Sequence, residues 1–174
     1  MAIDSQPLLE IRGLRMHFPI TEGIVLNRKQ QADALVKQLR ERAQSIRERV
    51  DGKPAPRVFF VLWPDPVFTA GKDAFITELI ETAGAKSVTD DMAQDWPQIS
   101  LEAVLARKPD FLVLARGSEF DVQDLQKKAG WNSLEAVKAS HVFYTDDRIK
   151  YPSPVAFDAL EDLANQFHPP KTHE

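Results

Sequence analysis

The sequence predicts an α/β protein in which a mostly parallel sheet of four or five strands lies between flanking helices in three layers. Short, continuous apolar runs occur at 57–63, 111–115 and 141–145, and such runs are typical of strands buried on both faces of a parallel sheet. Segments with helical spacing separate the runs, and this alternation indicates right-handed β-α-β units. The chain has 174 residues, of which 43% are hydrophobic, so it is long enough to bury one core.

The first helix is predicted over 32–50, where apolar residues recur at helical spacing on one side and charged residues occupy the other. Asp51 and Gly52 end this helix, because both residue types tolerate the left-handed region that follows a helix. Pro54 and Pro56 prevent the helix from restarting.

The elements after the first buried strand alternate between helices and strands. They are predicted as helix 73–83, strand 86–89, helix 101–107, strand 111–115, helices 122–129 and 134–139, strand 141–145 and helix 155–167. Ser100 is the expected N-cap of helix 101–107. Ligands of open α/β sheets bind outside the carboxyl ends of the strands, which places loops 63–71, 116–120 and 146–154 at the predicted functional edge.

Composition excludes several classes of function. The net charge of −4 and the pI near 5.6 give no general nucleic-acid footprint. The absence of cysteine excludes disulfides and thiolate metal sites and leaves the compartment open. No apolar run reaches the ~18 residues that a membrane span needs.

The N-terminus does not predict a secretory signal. Asp4, Glu10, Arg12 and Arg15 interrupt every short apolar stretch there, whereas a signal needs an unbroken apolar run behind a basic start. The chain as written therefore predicts a cytoplasmic location.

The sequence does not match the motifs that were considered for catalysis or nucleotide binding. The segment TAGKD at 69–73 resembles a phosphate loop, but Pro66 replaces the first glycine and Asp73 replaces the hydroxyl residue. The hydrolase motif G-x-S-x-G is absent, and none of the four histidines is spaced for a helical metal site. Acidic residues at 90–95 and at 146–147 are typical of solvated turns. Nothing in the sequence requires an enzyme, a cofactor or a protein-bound metal.

Aromatic residues carry the functional hypothesis. Trp63, Phe68, Trp96 and Tyr151 follow or flank the predicted strand ends, where exposed rings would give flat, rigid surface to a large planar ligand. The alternative is that some of these rings cover the edge of the core. Trp131 is expected to pack in the core or against a loop.

Three segments resemble the C-terminal lobe of helical-backbone substrate-binding proteins of ABC importers, and especially the vitamin B12-binding members. They are PRVFFVLWPDPVFTAGKDAFITELIETAGA, WPQISLEAVLARKPDFLVL and HVFYTDDRIKYPSPVAFDALEDLA. The resemblance covers 32–169. It implies a Rossmann-like lobe, one of two that a long helix joins, with the ligand in the cleft between them.

The resemblance also implies roles for individual residues. Trp96 is expected to face a corrin, and Phe68, Thr69 and the Trp63–Pro64 turn are expected to line the cleft floor. Arg116 and Tyr151 at the same edge complete the set of expected ligand-binding residues. Glu102 matches a family glutamate that docks onto arginines of the membrane permease.

Ligand and partners follow from the same resemblance. The expected ligand is cobalamin or a related metal chelate, with a siderophore or haem as the near alternative. The expected partners are the importer's permease and its ATPase, in a periplasmic or other extracytoplasmic location, and no nucleic acid.

The N-terminal region departs from this pattern. The segment LLEIRGLRMHFPITEGIVLNR at 8–28 resembles the start of a peptide-importer ATPase subunit, and 1–29 is predicted as a short strand followed by a loop. We therefore expect an appendage at 1–30, the lobe at 31–170 and a disordered tail at 171–174. The sequence is compatible with a junction of two transporter genes, a truncated gene or an engineered recombinant.

The resemblance further implies that this chain lacks the N-terminal lobe. A third hypothesis is therefore a lobe that binds nothing alone and acts by association, either with a separate lobe or as a homodimer through the exposed cleft face.

Overall fold

The computed structural model describes residues 9–11, 14–16, 29–115, 121–151 and 153–170. The predicted α/β class is confirmed. The strands are β1 Leu9–Ile11, β2 Leu14–Met16, β3 Arg57–Val61, β4 Trp63–Pro64, β5 Val67–Phe68, β6 Lys86–Ser87, β7 Phe111–Ala115 and β8 Val142–Thr145. The helices are α1 Lys29–Val50, α2 Phe75–Thr82, α3 Leu101–Arg107, α4 Val122–Lys127, α5 Glu135–Lys138 and α6 Ala156–Phe167. Short 3₁₀ turns occur at Trp131–Ser133 and Asp147–Lys150.

The central sheet has four strands in the order β6-β3-β7-β8, and all its pairs are parallel. This order puts β3 and β7 in the middle, which explains why their sequences are continuously apolar. The single strand expected near the N-terminus is instead an antiparallel pair of β1 and β2. The loop expected after it lies outside the described residues.

The first buried strand is shorter than predicted. β3 ends at Val61, and Trp63–Pro64 then pairs antiparallel with Val67–Phe68. The backbone N–H of Leu62 donates to the carbonyl of Phe68 at 3.0 Å. Prolines at 64 and 66 have no N–H to donate, so the chain leaves the parallel ladder and turns back on itself.

Most helix bounds lie within two residues of the prediction, and the predicted bounds of α3 are confirmed. The Ser100 hydroxyl accepts a hydrogen bond from the N–H of Ala103 at 3.2 Å, and Lys108 ends the helix in the left-handed region. The prediction started α2 two residues early, at Asp73. Ala74 is extended and serves as its N-cap.

Two apolar layers cover the sheet. Successive strand residues alternate between them: Phe60 and Val113 face the layer of α1, α2 and α6, whereas Phe59 and Leu112 face the layer of α3, α4 and Trp131. This alternation follows from the two-residue period of a strand. Trp131 is fully buried, in line with the expectation of a packing role.

The first turns of α1 extend beyond these layers. Ala32 and Leu35 belong to the predicted inner face, yet both are exposed, and burial begins at Leu39. Among the described residues, no helix has the length and apolar character needed to cross a membrane.

Candidate functional site

The carboxyl edge of the sheet carries exposed aromatic rings. The large apolar side chains that are exposed among the described residues are Leu35 at 44%, Trp63 at 39%, Trp96 at 36% and Tyr151 at 67%. Three of these four are the aromatic residues that the sequence placed at this edge. Leu35, the fourth, lies on α1.

Trp63 and Phe68 form a cross-strand pair at the end of β3. The Trp63 indole Nε1 donates to the carbonyl of Asp65 at 3.0 Å, which fixes one edge of the ring, and 39% of the residue is exposed. The Asp65 carboxylate is 2.9 Å from Lys128 Nζ. Pro64 and Phe68 are half-buried, so the turn presents a mainly apolar surface.

Trp96 lies in residues 89–98, hereafter the Trp96 loop. Its ring is tilted against that of Phe60, with centroids 6.4 Å apart. Three backbone hydrogen bonds join the loop to residues 67–72, hereafter the Gly71 segment: the N–H of Thr69 donates to Pro97 O at 3.1 Å, that of Gly71 to Asp95 O at 2.9 Å, and that of Lys72 to Met92 O at 2.8 Å. Trp96 and Phe68 are therefore held on adjoining stretches of backbone.

Gly71 allows the two stretches to approach. A Cβ atom at this position would lie 1.8 Å from the carbonyl oxygen of Gln94 and 2.6 Å from that of Met92. Backbone packing therefore requires the glycine of the TAGKD segment, and this requirement does not involve phosphate.

Thr69 differs from the expectation that it lines the cleft. Its side chain is fully buried, and its hydroxyl donates to the carbonyl of Phe60 at 2.7 Å. A hydroxyl placed below the surface and already paired stabilises the turn after β3 and offers no surface to a ligand.

After β8 the chain forms the 3₁₀ turn Asp147–Lys150, and Tyr151 comes directly after this turn. Ile149 in that turn is fully buried and anchors it to the core. Since β7 separates β3 from β8, these two strands lie roughly 10 Å apart in the sheet. Arg116 lies outside the described residues.

Glu102 is exposed in the first turn of α3, directly after the Trp96 loop. A carboxylate at this place is stabilised by the helix dipole while it stays accessible. The expected ligand-facing residue and the expected docking residue therefore sit on consecutive pieces of chain.

Arg107 is a residue that the sequence did not single out. Its guanidinium contacts both carboxylate oxygens of Asp91, Nη1 to Oδ1 at 2.7 Å and Nη2 to Oδ2 at 2.9 Å, and also donates to the carbonyl of Val88. These hydrogen bonds hold the pKa of Asp91 below its ordinary value and raise the pKa of Arg107. The sequence predicts a solvated turn residue at Asp91, because no local pattern links it to an arginine sixteen positions away.

Other features of the described residues do not add to this edge. Within those residues, no group of three or more histidine, aspartate or glutamate side chains could hold a metal ion. A cavity of about 950 Å³ lies at the opposite edge of the sheet, and its lining includes Pro56, Pro109, Phe111, His141 and Phe167. It contains none of the predicted ligand-binding residues.

Comparison with known proteins gives consistent similarities. An uncharacterized ABC transporter substrate-binding lipoprotein of Bacillus subtilis is 30% identical over 146 residues, which are 81% of this chain and 46% of that protein. A vitamin B12-binding protein of Salmonella typhimurium is 31% identical over 114 residues, which are 66% of this chain and 41% of that protein. The chain thus spans less than half the length of these relatives.

A solved structure agrees with them. The crystal structure of a possible iron-binding, periplasmic solute-binding protein from Staphylococcus epidermidis superimposes with a TM-score of 0.71 at 27% identity, over 82% of this chain and 57% of that one. The family model for periplasmic binding proteins matches residues 21–149, and so reaches into the segment that was expected to be an appendage. Because the family model covers residues 21–149 and a relative that is 30% identical matches 81% of the chain, this chain belongs to the periplasmic binding protein family.

Proposed function

We propose that this chain forms one lobe of the substrate-binding component of an ABC importer, and that its carboxyl sheet edge binds one face of a planar metal chelate, with cobalamin as the first choice. The observation that carries the proposal is the exposure of Trp63, Trp96 and Tyr151 at that edge. Family membership supplies the class of function, and the aromatic edge supplies the class of ligand.

The physical argument concerns the surface that these rings leave in water. A contiguous apolar patch on a soluble protein marks a place where something binds. Indole and phenol rings lose little conformational entropy when they bind, and their faces suit a macrocycle better than a flexible solute. Trp96 supplies the main stacking surface and Phe68 a second one beside it.

The charge of the edge favours a corrinoid over an anionic ferric chelate. The carboxylate of Asp95 is exposed next to Trp96, whereas that of Asp65, in the turn that bears Trp63, is paired with Lys128 Nζ at 2.9 Å. Carboxylates near the ligand would repel negatively charged siderophores and the propionates of haem. A neutral ligand such as cyanocobalamin meets no such repulsion.

Calorimetric titration of the purified chain tests the choice of ligand. Cyanocobalamin, haemin and a ferric siderophore are titrated separately into the same preparation. We expect cyanocobalamin to bind with a Kd of roughly micromolar or tighter. Tighter binding of haemin or of the siderophore would replace the corrinoid with that ligand, and no heat from any of the three would contradict chelate binding by this lobe alone.

Glu102 is proposed as a contact for the importer's permease. The permease, which works with its ATPase, would meet this chain outside the cytoplasm, in keeping with the ABC transporter name of the Bacillus relative and the periplasmic name of the Staphylococcus structure. Charges at an interface rim steer docking more than they add affinity. Glu102→Ala should leave chelate affinity unchanged and lower the stimulation of importer ATPase activity in reconstituted vesicles. Glu135→Ala, in the first turn of α5, is the matched control and should change neither. A loss of chelate affinity in Glu102→Ala would show that the assignment is wrong.

A second candidate is a lobe that needs a partner lobe before it binds anything. The observation in its favour is the uncovered apolar side of α1 at Ala32 and Leu35, which suits contact with another folded unit. In this reading α1 is the helix that joins two lobes, and the proposed lobe spans 31–170 with 1–30 as an appendage. The calorimetric titration distinguishes the two hypotheses, because only chelate binding by the single lobe predicts heat when the ligand is added to this chain alone.

A further inference from the structure

The Trp96 loop is held from both sides. On one side its backbone bonds to the Gly71 segment through Met92, Asp95 and Pro97. On the other side the Arg107 guanidinium takes both carboxylate oxygens of Asp91 and the carbonyl of Val88, which precedes the loop. Two-oxygen pairing of this kind fixes the direction of the side chain as well as the distance, because the guanidinium and carboxylate planes must align.

Arg107 is itself held in place at the end of α3. Its backbone carbonyl accepts two hydrogen bonds from the Arg57 guanidinium, at 3.1 Å from Nε and 2.6 Å from Nη2. The backbone N–H of Arg57 in turn donates to the Asp110 carboxylate at 2.7 Å. These hydrogen bonds therefore fix the position of Arg107 relative to the start of β3, a central strand of the sheet.

A chain of contacts thus runs from the sheet through Arg57 and Arg107 to the Trp96 loop. Glu102 lies on the same helix as Arg107, at its opposite end. Because α3 spans only seven residues, the Arg107–Asp91 pair links the loop that bears Trp96 to the helix that bears Glu102 over a short distance.

We propose that Arg107 is a positioning residue, which holds the Trp96 ring in its ligand-facing orientation and ties it to the helix that carries Glu102. The functional part of this inference rests on the proposed function, whereas the structural part concerns Trp96 in the chain without ligand. Arg107 touches no ligand in this assignment. Its effect reaches the ligand only through Trp96.

Fluorescence quenching by acrylamide tests the structural part. In a Trp63→Phe background the remaining indoles are Trp96 and the fully buried Trp131, so a neutral quencher reports on Trp96. Arg107→Met should raise the quenching constant, by at most about threefold because the ring is already 36% exposed. Equal quenching in the parent and the variant would overturn the proposal.

Arg42→Met is the matched control. Arg42 also bonds to two acceptor oxygens, Asp158 Oδ1 at 2.8 Å and Glu161 Oε2 at 3.0 Å, and its side chain is 32% exposed against 27% for Arg107. It joins α1 to α6, away from the Trp96 loop. Its loss should leave the quenching constant at the parent value, and a rise equal to that of Arg107→Met would mean that the effect is general loosening.

Two further variants keep the test decisive if Arg107→Met does not fold. Asp91→Asn removes the charge from the other side of the pair and should raise the quenching constant in the same direction. Arg107→Lys keeps the charge but cannot pair with two oxygens at once, so its quenching constant should fall between those of the parent and Asp91→Asn. A parent value in both variants would again contradict the positioning role.

Chelate affinity tests the functional part. If the parent chain binds cyanocobalamin, Asp91→Asn should weaken binding by about tenfold, and Arg42→Met should not change it. Unaltered affinity in Asp91→Asn would refute the effect on the ligand. A parent chain that binds no chelate would refute the proposed function, and the quenching result would still decide whether Arg107 positions Trp96.

Discussion

At the scale of single residues, the three tryptophans show how context sets the role of one side chain. Trp131 is fully buried, with its ring centroid 6.3 Å from that of Phe59. Trp63 and Trp96 keep more than a third of their surface in water. Their exposure has a local cause, since both sit in turns with prolines that leave the sheet at its carboxyl edge.

The first prediction concerns the stacking role of Trp96. Trp96→Ala should lose about 1.5–3 kcal/mol of chelate binding energy, or roughly ten- to hundredfold in Kd, because the indole face is no longer buried on binding. Calorimetric titration measures the change. Leu35→Ala, another exposed apolar residue but on α1, is the control and should bind as the parent does. A Trp96→Ala variant with parental affinity would remove the stacking role.

The second prediction concerns pH and the Arg107–Asp91 pair. The folded pKa of Asp91 lies below its ordinary value because Arg107 donates two hydrogen bonds to the carboxylate. The pair therefore stabilises the folded state fully at any pH above about 3.9, the pKa of an unfolded aspartate. This stabilisation is lost as the pH falls through the lower pKa that Asp91 has in the folded state. The difference in unfolding free energy between the parent and Asp91→Asn should be constant near neutral pH and vanish in strong acid. Urea unfolding across this range measures it, and a difference that persists in strong acid would contradict the pairing.

At the scale of elements, the residues at the two ends of a short helix decide where that helix begins and ends. The seven residues of α3 lie between the Ser100 cap and the left-handed Lys108, and both ends are readable in the sequence. α2 begins later than its pattern predicts, because the hydroxyl of Thr77 donates to Gly71 O at 2.6 Å and the turn before the helix is committed to packing against the Trp96 loop. The sequence near a helix end therefore predicts the helix boundary only where the same residues are not engaged in tertiary contacts.

The third prediction tests the cap of α3. Ser100→Ala should lower the free energy of unfolding by about 1 kcal/mol, because the N–H of Ala103 loses its acceptor. Ser45→Ala is the control, since Ser45 is exposed within α1 and alanine is the better helix former there. Equal unfolding free energies for the parent and Ser100→Ala would show that the cap contributes nothing.

The fourth prediction tests the contact between the Gly71 segment and the Trp96 loop. Gly71→Ala should cost more than about 2 kcal/mol of unfolding free energy, because the new methyl group would overlap the carbonyls of Gln94 and Met92. At Gly52 a Cβ atom meets nothing within 4 Å, although φ is +70°, so Gly52→Ala should cost only about 1 kcal/mol. Urea unfolding compares the two, and the reverse order would contradict the close approach.

At the scale of the whole molecule, one sheet organises two apolar layers. β3 and β7 contribute side chains to both layers in alternation, so neither layer can come apart while the other keeps its strands. The exposed rings lie at the edge where the layers end. The sheet therefore gives the proposed aromatic edge a packed support, as the presentation of rings to a planar ligand would require.

The fifth prediction follows from the shared strands. Phe157→Leu in the layer of α1, α2 and α6 and Trp131→Phe in the other layer should each lower the melting temperature of the same single transition, because the two layers unfold together. Differential scanning calorimetry measures this, with equal calorimetric and van't Hoff enthalpies expected. Two separate transitions, each moved by one variant only, would contradict a single cooperative lobe.

The sequence by itself determined the α/β class, the parallel sheet and the bounds of α3, and it singled out three aromatic residues that are exposed, Trp63, Trp96 and Tyr151. These features rest on signals between near neighbours in the chain: apolar runs, helical spacing, a serine before a helix and prolines after a strand. The family membership also followed, because the motifs keep their order along the chain.

Only the tertiary structure decided the pairing of Arg107 with Asp91, the burial of Thr69, the approach of Gly71 to Gln94 and the uncovered first turns of α1. Each of these depends on which backbone lies beside which after the sheet has formed. An arginine at a helix end and an aspartate in a turn are both ordinary surface residues in the sequence, and only folding brings them within hydrogen-bond distance.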